Sequence, residues 1–154
     1  MSASVFERLQ EKLQQAGVAF TVSRHQPVYT SEEAAAVRGV TLASGAKALV
    51  VKAGDAFALL VLPADRKLDS KKARASLGVK SIRFATREEV AQLTGLQPGS
   101  IPPFGSLFGL ATWCDPELGA NAAINFNAGD HAISVQMSYD AFVAAEKPTA
   151  ATLT

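Results

Sequence analysis

The stretch KALVVKAGDAFALLVLP, residues 47 to 63, leaves this chain few choices. Its residues are almost all aliphatic, and Gly54-Asp55 breaks them with a pair that suits a tight hairpin turn. Two strands joined so closely must run antiparallel. Their apolar faces are nearly continuous, so the hairpin belongs in the centre of a sheet rather than at its edge.

The flanking segments supply helices and further strands. SVFERLQEKLQQAG reads as an amphipathic helix, with Ser4 and Glu7 as a capping box and Val5, Phe6, Leu9 and Leu13 on one face. Gly17 stops it, and VAFTV has strand character. YTSEEAAAVRG is a second helix, boxed by Thr30 and Glu33 and stopped at Gly39. After the hairpin, LDSKKARASLG is a helix between Asp69 and Gly78, KSIRF a short strand, and TREEVAQLTG a helix boxed by Thr86 and Glu89. LFGLATWCD reads as a strand that Gly109 weakens or bulges. AAINFNAG and HAISVQM form two more strands that meet near Gly129. SYDAFVAA closes the fold as a helix with Ser138 as its cap, and the tail from Lys147 is expected to fray. Two strand pairs are joined too tightly for parallel crossovers. The expectation is one α/β (α+β) domain over residues 1–154, a mixed sheet with helices packed around it.

Composition closes several routes. The formal charge of +1 argues against a strongly basic nucleic-acid binder, although net charge says little about distribution. The single cysteine, Cys114, excludes an intramolecular disulfide, and with two histidines it makes no zinc signature. The opening residues read as helix rather than signal peptide, and no apolar run is long enough to span a bilayer. A cytoplasmic protein with no membrane or DNA partner and no metal or cofactor is expected.

Three groups of residues can carry chemistry. Lys47 shares a strand side with Leu49 and Val51. Facing a core, it needs a partner or an open pocket. Position alone favours an edge lysine snorkelling to water, while a lysine at a strand head can also hold a phosphate. The loop LQPGSIPPFGSLFG is stiff and nearly uncharged. Gly99 permits close approach to the backbone, and Pro102 and Pro103 fix φ and lack N–H groups. Such a loop can present fixed backbone dipoles to a ligand, or it is a rigid turn. His25, Asn127 and His131 form the third group. Neither histidine has a neighbour that would make a triad. Ser134 and Gln136 lie on the strand face opposite His131. Cys114 reads as core rather than nucleophile. Walker, dinucleotide and serine-elbow motifs are missing.

Taken together, GAKALVV, LDSKKARASLG, TGLQPGSIPPFG and FNAG resemble, in order and spacing, the YbaK / prolyl-tRNA synthetase-associated domain family. The similarity runs from about His25 to about Phe142. These domains deacylate mischarged aminoacyl-tRNAs. The resemblance implies a mixed, partly closed sheet surrounded by helices and no metal. It also implies a lysine at the substrate's terminal phosphate, which Lys47 matches. Its G-x-x-x-P loop, whose backbone positions substrate and water, corresponds to Gly99, Ser100, Ile101, Pro102 and Pro103. His25 stands where several members carry histidine. Ser134, His131 and Asn127, with Gly129 beside them, are the candidates for substrate contacts from the late strands.

On this reading the substrate is the acceptor end of an aminoacyl-tRNA, with or without a synthetase partner. An activated ester needs no strong nucleophile, and the adjacent ribose hydroxyl can shuttle a proton. A synthetase separates amino acids differing by one methylene by only about 1–3 kcal/mol, so a second sieve is useful. Alanine, serine and threonine are the expected amino acids, with Ser100 or Ser134 set to meet a substrate hydroxyl. The alternatives are a non-catalytic module that binds aminoacyl-tRNA or a synthetase, and a hydrolase of another aminoacyl ester or thioester.

Overall fold

The structure, a computed structural model, describes residues 3–154. Five helices and eight strands follow one another. The first half comprises α1 (Val5–Gln15), β1 (Thr21–Arg24), α2 (Ser31–Arg38), β2 (Ala46–Ala53), β3 (Ala56–Pro63) and α3 (Ser70–Leu77). The second comprises β4 (Ile82–Phe84), α4 (Arg87–Thr94), β5 (Ala111–Cys114), β6 (Ala123–Asn127), β7 (Ile133–Ser138), α5 (Tyr139–Glu146) and β8 (Thr149–Ala150). The helix starts are set locally. Ser4, Thr30 and Thr86 each accept a backbone N–H from the glutamate three residues on, and each glutamate reaches back to the cap. Asp69 and Ser138 cap α3 and α5.

The central hairpin pairs β2 with β3 from Ala46↔Pro63 to Ala53↔Ala56. β4 adds antiparallel to β2, β5 parallel to β3, and β8 parallel to β5, giving the order β4-β2-β3-β5-β8. A second, antiparallel sheet has the order β1-β7-β6. Two open sheets therefore replace the single, partly closed sheet expected. Side-chain alternation marks strands but not their partners, and β1 finds β7 across more than a hundred residues. The sheets are bridged by the backbones of Gly45 and Asn125. Any Cβ at Gly45 would sit 2.9 Å from the Cβ of Ala64, so glycine is what lets the chain ahead of β2 lie against the residue that follows β3.

Burial on both faces explains why the hairpin is apolar apart from Lys47, Lys52 and its turn. Ala46, Val50, Leu59 and Val61 face a larger core with Leu9, Phe126 and Phe142. Val51, Ala53, Ala58 and Leu60 face a smaller one with Ala73, Ala151 and Leu153. Each fully buried Leu or Phe contributes about 1.5–3 kcal/mol.

Three local expectations need correction. The first strand begins at Thr21 rather than at Val18. Gly105–Phe108 forms a 3-10 turn ended by Gly109, so the strand that follows is only Ala111–Cys114. The tail does not fray. Thr149 and Ala150 pair with Trp113 and Cys114, and Leu153 is wholly buried. One Asp115 oxygen accepts the backbone N–H groups of Leu153 and Thr154 and the Thr154 hydroxyl, while the other accepts from Glu117. Burial raises the Asp115 carboxyl, but these hydrogen bonds outweigh it and hold the pKa below its usual value.

Leu153→Ala is expected to destabilise the protein by about 2–5 kcal/mol, measured by urea denaturation. The depressed Asp115 pKa adds stability that is present above the unfolded-state value and lost as pH falls through the folded one. Asp115→Asn should remove that part of the acid dependence.

Candidate active site

The proline-rich loop is built against the core. Beyond α4 the chain turns at Pro98-Gly99, where the Gln97 carbonyl accepts from the Ser100 N–H at 3.2 Å and the Ser100 hydroxyl at 2.8 Å. Gly99 sits at φ 92°, a conformation L-residues avoid. Ile101, Pro102, Pro103 and Phe104 are buried. The Phe104 ring lies 5.3 Å from Phe142, edge to face, and 5.8 Å from Phe126, which pins the loop to the larger core.

Two hydrogen bonds orient the loop's peptide planes. The Asn127 amide donates to the Gly99 carbonyl at 2.7 Å. The Gly129 N–H donates to the Ser100 carbonyl at 2.8 Å. In a trans peptide the C=O and N–H point in opposite directions. With the Ser100 oxygen held against Gly129, the Ile101 N–H is directed away from that strand turn. Among the described residues the N–H groups of Gly99 and Ile101 meet no protein acceptor.

Both residues line a cavity of about 180 Å³. Lys47, Arg38, Asn127 and Tyr29 line it too, and no aspartate or glutamate does. The volume is below that of a typical drug-sized pocket and suits an amino-acid-sized group. Lys47 enters from the head of β2, and its ammonium donates to the Arg66 carbonyl at 2.6 Å. Burial lowers its pKa; Glu32 and Asp65 oppose that shift, and Lys67 adds to it.

Arg38 is the residue that sequence reasoning missed. Its Nε donates to the Ser134 hydroxyl at 2.8 Å and its Nη2 to the Asn127 side-chain oxygen at 2.9 Å. Burial lowers its pKa to about 10, so it remains charged at neutral pH. A relay thus runs from α2 through Asn127 to the Gly99 carbonyl. In the sequence, an arginine one residue before a helix-ending glycine reads as a partner for the helix dipole. Nothing local points to Ser134, 96 positions away.

Neither histidine lines the cavity. His25 Nδ1 lies 2.7 Å from the Gln26 carbonyl and Nε2 lies 2.7 Å from the Ser134 hydroxyl. Ser134 accepts from Arg38 and donates to His25, so its proton is committed. His131 precedes β7 instead of lying within it, and its ring packs on Tyr29 at 4.7 Å. Its Nδ1 lies 3.1 Å from the Val28 carbonyl, which puts the proton there. Nε2 is left buried without a hydrogen-bond partner among the described residues. Of the residues singled out from sequence, Lys47, Gly99, Ile101 and Asn127 share the cavity. Ser100, Pro102, Pro103 and Gly129 shape the loop around it, and His25, His131 and Ser134 brace the wall beyond.

A small cavity with two cations, no acid in its lining and a fixed main-chain loop has the size for an amino-acid-sized group and the charge for an anion joined to it. The model of the aminoacyl-tRNA editing domain family matches residues 25–145, and the chain belongs to that family. It is 36% identical over 128 residues to the multifunctional Ser/Thr-tRNA deacylase ProXp-y of Escherichia coli (strain K12), covering 80% of this chain and 77% of that one. It is 35% identical over 121 residues to the proline–tRNA ligase of Bacillus licheniformis, covering 76% of this chain but only 21% of the ligase. A crystal structure of a candidate trans-editing enzyme for prolyl-tRNA synthetase superposes with a TM-score of 0.87 at 25% identity, covering 100% of this chain and 99% of that one.

Cys114 is buried, and its thiol is pushed up to about 12, first by burial and then by the Asp115 charge. It should resist iodoacetamide at pH 8 in the folded protein and react after denaturation, as followed by mass spectrometry. Cys114→Ala should retain the protein's activity.

Proposed function

We propose that this protein hydrolyses the ester joining a small amino acid to the 3′ end of a transfer RNA, acting in trans on mischarged molecules. The observation that carries this reading is the cavity shared by Lys47 with Gly99 and Ile101. Family membership supports the reaction class.

In this reading Lys47 holds the terminal phosphate as a point charge. Gly99 lets the aminoacyl group approach the main chain. Water adds to the ester carbonyl carbon, and the Ile101 N–H stabilises the oxyanion that forms. The bond to the ribose 3′-oxygen then breaks. That oxygen takes up a proton, with the neighbouring ribose hydroxyl as shuttle, and the free amino acid leaves. Ser100 contributes through its carbonyl, which Gly129 holds, because its hydroxyl is turned back on Gln97. Pro102 and Pro103 keep the loop from relaxing, so no reorganisation is needed during the reaction.

The cavity wall carries the hydroxyls of Thr30 and Thr41 beside its apolar residues, while the side chains of Asn125 and Asn127 are paired with Ser44, Gln136, Arg38 and the Gly99 carbonyl. That polarity favours serine and threonine over alanine as the esterified amino acid. The E. coli relative, named a Ser/Thr-tRNA deacylase, supports the same choice. The similarity to proline–tRNA ligase points to a synthetase as a functional neighbour.

A panel of alanyl-, seryl-, threonyl- and cysteinyl-tRNA tests the proposal: seryl and threonyl esters should be cleaved fastest, and release of none would leave a binding module. Lys47→Met should lower kcat/KM about 10- to 100-fold, the worth of one charged hydrogen bond. Gly129 sits at φ 85°, and a Cβ there would press on Val5 at 3.0 Å. Gly129→Ala should therefore displace the Ser100 anchor and lower kcat about tenfold or more with little change in KM. Wild-type turnover in that variant would sink the main-chain mechanism.

A further inference from the structure

The charge of this protein is unevenly spread. From Arg66 to Lys80 the chain carries six basic residues and one acidic residue, while the remainder carries nine basic and thirteen acidic. A formal charge of +1 therefore conceals a positive segment on an otherwise negative molecule.

We infer that the exposed strip from Arg66 along the first turn of α3 is the surface on which the phosphate backbone of the RNA carrier docks, an inference that rests on the function proposed above. Arg66, Lys67, Lys71 and Lys72 are all exposed. Among the described residues none of them forms an ion pair. Lys72 donates only to the Thr154 carbonyl, at 3.1 Å. A row of solvated cations without acidic partners is an electrostatic footprint for a polyanion.

Position ties this strip to the cavity. Ala64 lines the cavity, and the Arg66 carbonyl holds the Lys47 ammonium at 2.6 Å. Lys67 is near enough to Lys47 to disfavour its charge. The segment thus begins on the cavity rim. Arg66 and Lys72 then flank one surface groove, together with Thr152 and Thr154.

The acids nearby do not cancel the strip. Asp65 lies beside Lys47, and Asp69 accepts the Lys72 backbone N–H as the α3 cap. Asp115 in the groove is taken up by the tail, which leaves Glu117 as the groove's other carboxylate. A strand whose last residue occupies the cavity must cross the rim on leaving it, and this rim is basic. That continuity favours RNA over an acidic protein as the occupant.

Neutralising Lys71, Lys72 and Arg74, the last within one turn further along α3, to glutamine in one variant tests the assignment. Each lost phosphate contact should lower the slope of log affinity against log salt by about 0.7–0.9, so uncharged tRNA should bind with a slope smaller by about 2–3. Cleavage of aminoacyl-tRNA should lose kcat/KM through a higher KM. Cleavage of a 3′-aminoacyl-adenosine should stay within about twofold of wild type, since it spans no strip. Arg24→Gln, on β1 of the other sheet, should leave the slope unchanged. The inference is overturned by an unaltered slope in the triple variant, by equal losses on both substrates, or by a defect seen only when a synthetase is added. A wild-type protein that binds tRNA with the expected slope but cleaves no ester would defeat the proposed function and leave the surface standing.

Discussion

The backbone bridge between Gly45 and Asn125 is the constraint on which the site depends. It brings the head of the central hairpin to the second sheet. One side of the junction carries Lys47, and two residues beyond Asn125 on the other comes Asn127, which holds the Gly99 carbonyl. The cavity lies beside this point, lined by the first residues of β2, the last of β6 and one side of α2. A side chain at Gly45 would collide with Ala64, just beyond β3, so the open end of the hairpin closes on a glycine at the point where it meets the second sheet.

Local signals carried much of the fold. The hairpin, the three capping boxes and the helix-ending glycines are written in neighbouring residues, and the structure follows them. What failed was non-local. Thr149 and Ala150 have no strand pattern, and they pair with β5 because Asp115 captures the N–H groups just beyond them. The division into two sheets depends on β1 reaching β7, which no alternation encodes. The site divides in the same way. Lys47 and the Gly99–Pro103 loop are candidates from the residues alone, but only the resemblance favours a site over an edge lysine and a rigid turn. Arg38 was illegible because its partners, Asn127 and Ser134, lie far along the chain.

The loop's rigidity has several independent sources. Two prolines fix φ, Phe104 nails the loop to the core, and two hydrogen bonds set the planes of its peptides. Arg38 reinforces one of these by holding the Asn127 side-chain oxygen, so that the amide nitrogen must face Gly99. A half-buried guanidinium without a carboxylate carries a desolvation cost, and it is offset here by neutral acceptors. The arrangement keeps its positive charge on the cavity wall rather than cancelling it.

On the function proposed, the lining of the chamber offers the α-ammonium of an aminoacyl group no carboxylate partner. Selection inside it would then rest on bulk and on the hydroxyl, so the chamber accepts a given amino acid whichever RNA carries it. Telling a wrongly loaded molecule from a correctly loaded one therefore falls to features of the RNA body itself, outside the chamber's reach.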